Sequence, residues 1–279
     1  MKKLFFTLSL LFVGILIQAQ IKTPNASPSA SVIQEIGLGK ATIEYSRPAL
    51  KGRKMFGAEL IPYGKVWRTG ANKIPSLILS QDMTIDGKKI SAGTYGIATI
   101  PNATEWTIII TKNAAQWGVY EYKETEDLMR FNVKAEKLLN PEEYFTMGFS
   151  DFTPTSASVV IAWENIQVKF KLAQDPSETI MADIKVKTAE KDVNMETLQG
   201  AANYYLENGK DLNQAMEWAN KVVEKDKQYW TLALRAKIAQ KLGKCDIAKE
   251  DAKVGIELAK KDNDNSYVMT LSKILATCK

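Results

Sequence analysis

The 279-residue chain contains no histidine. That absence excludes every Ser-His-Asp and Cys-His mechanism, and every metal site that needs an imidazole ligand. Cysteine is almost as scarce, with Cys245 and Cys278 alone, too few for a Cys-only zinc site. Neither a Gly-rich loop ending in Lys-Ser/Thr nor a dinucleotide-binding glycine fingerprint occurs. No charge of one sign dominates: the formal net charge is +5, too weak a balance to point to nucleic acid. On these grounds no cofactor, no metal and no nucleic-acid partner is expected.

Long apolar runs are missing too, apart from one at the start. Lys2 and Lys3 precede the apolar stretch Leu4 to Ile17, and Ala19 offers a small residue for cleavage. These are the three parts of a secretory signal peptide, here residues 1–19, and the run is short of the roughly 20 apolar residues a membrane span needs. No cysteine follows it, so a lipid anchor is not expected. The mature chain is therefore expected in the periplasm or outside the cell, with no membrane span after cleavage.

Two kinds of patterning follow. From about Ser29 to Leu172, short runs rich in β-branched and aromatic residues recur: 41–45, 76–79, 94–100, 106–111, 128–133, 144–149, 158–163 and 166–172. Turn signals separate them, including Asp86-Gly87, Asn140-Pro141, Thr153-Pro154 and Glu164-Asn165. The pattern predicts an antiparallel β-sandwich, and Asn165 reads as the turn of a tight hairpin. After Leu172 the pattern becomes helical. Asp175-Pro176 opens a first helix reaching about Thr188, and five more are predicted at 194–208, 211–225, 229–242, 245–261 and 265–278. The fold class is thus α+β in two domains: a sandwich over 27–172, a linker with the first helix over 173–192, and a helical domain over 193–279.

The helical part carries an internal period. Gly209 precedes Ala215 and Ala219, while Gly243 precedes Ala248 and Ala252. A spacing near 34 residues, with small side chains where helices cross, is that of tetratricopeptide-like repeats, which commonly dock a protein partner. Cys245 begins one predicted helix and Cys278 ends the next. In an antiparallel pair those ends meet, so a Cys245–Cys278 disulfide fits both the geometry and an exported compartment; two free buried thiols are the alternative.

The segments Gly52-Arg53-Lys54-Met55-Phe56-Gly57 and Pro62-Tyr63-Gly64-Lys65-Val66-Trp67-Arg68-Thr69-Gly70-Ala71-Asn72 resemble a known family. Ala92-Gly93-Thr94-Tyr95, Glu105-Trp106-Thr107 and Gln116-Trp117-Gly118 agree with it. Together they are similar to the bacterial Domain of Unknown Function 2911 family over about residues 27–172. The resemblance implies no activity and no catalytic residues.

Residues 47–73 are the strongest local clue to a site. They hold seven cationic side chains against Glu59 alone, together with Phe56, Tyr63 and Trp67, and show little strand pattern. A long aromatic loop in a compact domain is commonly functional. Arg47, Arg53 and Arg68 could present guanidinium forks to an anion, with Asn72 as a further ligand contact and Tyr63, Trp67 and Trp117 as stacking faces for a carbohydrate or peptide. The loop from Asn113 to Glu126 could form an opposite wall, its acids reading as a solvated face. Alternatively Arg68 and Asn72 bond backbone carbonyls and Trp67 packs inward. The expected function is a non-enzymatic module for an anionic or carbohydrate ligand, with a helical tail for a protein partner. The competing reading is an envelope-polysaccharide hydrolase or lyase using carboxylate or Tyr/Arg chemistry.

Overall fold

A computed structural model describes residues 23–278; the expected signal peptide lies outside the described residues. The chain divides into two compact units, one ending at Asp175 and the other beginning at Pro176.

The described residues of the first unit form ten strands: β1 (Ser29–Ile36), β2 (Gly39–Ser46), β3 (Ser76–Leu79), β4 (Met83–Ile85), β5 (Lys88–Ile90), β6 (Gly93–Ile100), β7 (Glu105–Thr111), β8 (Asp127–Lys134), β9 (Glu136–Thr153) and β10 (Ser156–Ala173). They form a six-stranded sheet, β1-β2-β3-β6-β7-β8, and a four-stranded sheet, β5-β4-β10-β9. Every pairing is antiparallel. Alternation explains the assembly: in β2, Ala41, Ile43 and Tyr45 are buried while Lys40 and Glu44 face solvent, the period of a half-buried strand. Ile43, Leu77, Ile97 and Ile108 of one sheet share a core with Phe145, Val159 and Phe170 of the other. Each such fully buried side chain stabilises by about 1.5–3 kcal/mol.

The predicted hairpin at Asn165 is not formed. β10 runs unbroken through it, with register irregularities either side of Glu164. Glu164 has φ +56°, and its carboxylate accepts the Met55 and Phe56 amides, both at 3.2 Å. A bulge needs the same backbone conformation as a tight turn, so the residue types look alike in sequence. The Asn140-Pro141 turn is likewise absorbed. Pro141 lies inside β9, at the sheet edge and beside the register slip, where a missing N–H removes no ladder bond.

The second unit contains six helices: α1 (Ser177–Lys187), α2 (Met195–Glu207), α3 (Leu212–Lys225), α4 (Tyr229–Lys241), α5 (Cys245–Lys261) and α6 (Asn265–Thr277). Side-chain caps fix the starts of α2, α3 and α6: Asn194 accepts from the Thr197 amide, Asp211 from Asn213 and Gln214, and Asp264 from Ser266 and Tyr267. Gly209 and Gly243, with φ of +60° and +72°, end α2 and α4 in the left-handed conformation a helix stop favours. Ala215, Ala219, Ala248 and Ala252 are wholly buried. α4 buries seven of its residues, Thr231 to Leu234, Ala236, Ile238 and Ala239, keeping Lys237 and Lys241 exposed, and contacts α2, α3, α5 and α6. Asp251 of α5, 3 % exposed, receives two bonds from Arg235 of α4, at 2.8 and 2.6 Å. Cys245 and Cys278 are joined as a disulfide with Cα atoms 5.4 Å apart. No helix among the described residues is long and apolar enough to cross a membrane.

Candidate functional site

The segment between β2 and β3 has almost no ladder of its own, yet it is held in place. Leu50 donates to the Glu143 carbonyl and accepts from the Arg53 amide, and Gly64 donates to the Pro101 carbonyl. Trp67 exchanges two backbone bonds with Thr99 of β6, at 2.7 and 3.0 Å. The indole of Trp67 then packs edge-on to Phe56, Trp106 and Phe145 and parallel to Trp163. That aromatic cluster anchors the segment from below.

Immediately after Trp67 the backbone is forced into the left-handed region. Thr69 has φ +62°, Gly70 +113° and Asn72 +61°. A β-branched residue there is a true outlier, and such strain costs of order 1–3 kcal/mol. Thr69 is fully buried, and its hydroxyl contacts the Trp67 carbonyl at 3.3 Å and the Thr99 hydroxyl at 3.0 Å. Gly70 is required: a Cβ there would meet Phe145 at 3.1 Å and the Ser46 carbonyl oxygen at 3.2 Å. Asn72 donates to the Ser46 hydroxyl at 3.2 Å. These constraints turn the chain sharply just beyond Arg68.

The opposite wall comes from the loop between β7 and β8. Ile74 donates to the Gln116 carbonyl and Gly118 to the Asn72 carbonyl, which joins the two segments. At its far end the Tyr122 hydroxyl donates to Asp127 at 2.6 Å, and Arg130 binds both of them. The Tyr122 phenol is pushed up to about 12, first by burial and then by its bond to Asp127. Asp127, its side chain 7 % exposed, is thus an internal acid rather than a solvated one.

Between the walls lies an open cleft of about 360 Å³. Arg53, Lys65 and Arg68 line it with Met55, Leu60, Ile61, Trp67, Val119, Tyr120 and Trp163, and no Asp or Glu among the described residues does. The three arginines have different roles. Arg47 binds the Phe145 carbonyl and the Thr146 hydroxyl, away from the cleft. Arg53 reaches the cleft while bonding the Leu50 and Ala49 carbonyls. Arg68 alone of the three makes no hydrogen bond or ion pair to any described residue, although it is only partly exposed.

Of the other sequence candidates, Trp67 forms the cleft floor. Tyr63 lines a separate depression with Lys54 and Glu164. Asn72 serves the backbone, and Trp117, 63 % exposed, does not line the cleft. Leu60, Val119 and the strained Thr69 carry no site signal of their own in the sequence; the first two are ordinary apolar residues in loops, and backbone strain has no residue-type signal when the strained residue is threonine.

The family described as "Protein of unknown function (DUF2911)" matches residues 27–172. The chain belongs to this family. No curated protein and no solved structure matches it at a significant level. The cleft, both of its walls and the strained turn therefore all lie inside the DUF2911 region.

Proposed function

We propose that the DUF2911 unit is a binding module that captures a small anion-bearing ligand in the Trp67–Arg68 cleft. The observation that carries this reading is Arg68, a guanidinium without a protein partner, held in a cleft without acids beside a strained, buried Thr69. Backbone strain persists only where surrounding structure over-determines it, and it clusters at functional sites. A planar fork with five N–H donors suits carboxylate, sulfate or phosphate. Binding is favoured over hydrolysis because a cleft lined by cations and apolar groups offers no carboxylate pair for acid–base work on a glycosidic bond. Export through the N-terminal signal, and delivery to the periplasm or beyond, belong to the same proposal.

For the second unit the reading is a tetratricopeptide-like docking tail for a protein partner. Its support is the pair of matching Gly and Ala positions, together with contacts of α4 to both α2 and α6, as stacked helix pairs make.

Thermal-shift and calorimetric titration of the full chain with small organic and inorganic anions, against neutral analogues, tests the cleft. At least one anion should stabilise the wild type and not Arg68→Ala. Equal responses in both proteins would refute the reading.

A further inference from the structure

Resting on that reading of the cleft, we infer that its ligand is an amphipathic monocarboxylate, a single anionic head on an apolar body, rather than a glycan or a bare inorganic anion. Three observations carry the inference.

The first is how the cleft divides between charge and apolar surface. Arg68 and Lys65 stand among Leu60, Ile61, Val119 and Trp163. Sugar hydroxyls both donate and accept, and a site for them needs acceptors as well as donors. Arg and Lys carry donors only, and the described lining offers no Asp, Glu, Asn or Gln side chain, leaving the hydroxyls of Ser27 and Tyr120 as its side-chain acceptors. A carboxylate, which only accepts, matches such a donor-rich set, whereas the polyhydroxylated body of a sugar would leave most of its own donors unmet.

The second is exposed apolar surface at the rim. Leu60 is 59 % and Tyr120 87 % exposed, and both line the cleft. An inorganic anion would use neither. An alkyl or aryl body lying across them would remove both from water, and apolar burial is worth roughly 25 cal/mol per Å².

The third is the placing of Arg68 beside Tyr120. A point one Cβ bond out from Gly118 lies 3.2 Å from the Tyr120 ring and 3.3 Å from an Arg68 terminal nitrogen. A side chain here would crowd both, and the backbone, at φ +69°, favours glycine. The cationic head site and the apolar rim therefore adjoin, so one small molecule can reach both.

The test uses the full chain and isothermal titration with four probes: acetate, octanoate, 3-phenylpropionate and glucuronate. Octanoate or phenylpropionate should bind at least ten-fold more tightly than acetate and glucuronate. Arg68→Ala should abolish that binding, and Leu60→Ser should weaken it several-fold with an unchanged melting temperature. Equal affinity for acetate and octanoate, or preference for glucuronate, each lost in Arg68→Ala, would overturn the amphipathic class and leave an anion site standing. Octanoate binding that survives Arg68→Ala would mean apolar adsorption and overturn the inference. No Arg68-dependent binding of any anion, here or in the wider anion panel, would bring down both.

Discussion

The indoles of Trp67 and Trp163 lie parallel, 6.1 Å apart between centroids with an angle of 11° between their planes. Trp67 is bridged to β6 of the six-stranded sheet and Trp163 belongs to β10 of the four-stranded one. The stacked pair links both sheets directly beneath the cleft. Trp163→Ala should therefore cost about 3–5 kcal/mol, as large-to-small core changes do. Chemical denaturation would check it, and near-UV circular dichroism should lose a Trp–Trp signature in Trp67→Phe as well.

Gly70→Ala tests the strained turn. With a Cβ 3.1 Å from Phe145 and 3.2 Å from a backbone oxygen, the substitution should destabilise by about 1–3 kcal/mol. Arg68→Ala, which removes no hydrogen bond or ion pair to a described residue, should leave the stability within about 0.5 kcal/mol of wild type. A Gly70→Ala protein as stable as wild type would show that the turn is not so tightly determined.

The Arg235–Asp251 pair should respond asymmetrically. Asp251 has a 4 % exposed side chain and Arg235 a 21 % exposed one. Removing the arginine strands a buried carboxylate, at a cost of about 3–5 kcal/mol. Removing the aspartate leaves a guanidinium that can reach water, and should cost less, about 1.5–3 kcal/mol, near the worth of its charged hydrogen bonds. Denaturation of Arg235→Ala and Asp251→Ala side by side measures the difference.

Reduction of the Cys245–Cys278 bridge should lower the stability of the helical unit by about 3–4 kcal/mol, the loop-closure entropy of a loop of this length. Melting with and without reductant reads this out, and Cys245→Ser with Cys278→Ser should reproduce it.

Tyr122 provides a pH test. An unfolded tyrosine ionises near pH 10, whereas in the folded chain burial and Asp127 push Tyr122 to about 12. Between those values the native state keeps a proton that the unfolded chain has lost, so the contribution is complete below pH 10 and lost as pH rises through 12. Ultraviolet titration of the native protein should show a phenolate component near pH 12 that Tyr122→Phe removes.

Much of this was legible in the chain. The five helices after α1 start and stop within about two residues of their expected positions because caps and left-handed glycines are local chemistry. Strand limits were harder. β1 reads poorly, since Ser29, Ala30 and Ser31 are weak strand formers and only pairing with β2 makes them one. Glu164 resembles a turn because a bulge and a turn ask the same of the backbone. Within the basic segment, residue type could not separate Arg47 and Arg53, engaged by carbonyls, from Arg68. That distinction depends on which carbonyls are near, and they come from residues as distant as Phe145.

The last two residues of β10 have a temporal consequence. Leu172 and Ala173 pair with Ile85 and Thr84, and the next residue, Gln174, accepts the Leu38 amide at the β1–β2 turn. The strand made last thus completes contacts begun more than a hundred residues earlier at that turn. Such long-range pairing is slow to form, and a ribosome-bound chain ending before residue 172 lacks the pairs that join β4, and through it β5, to β10. That edge of the four-stranded sheet should stay unpaired and protease-sensitive until synthesis passes that point.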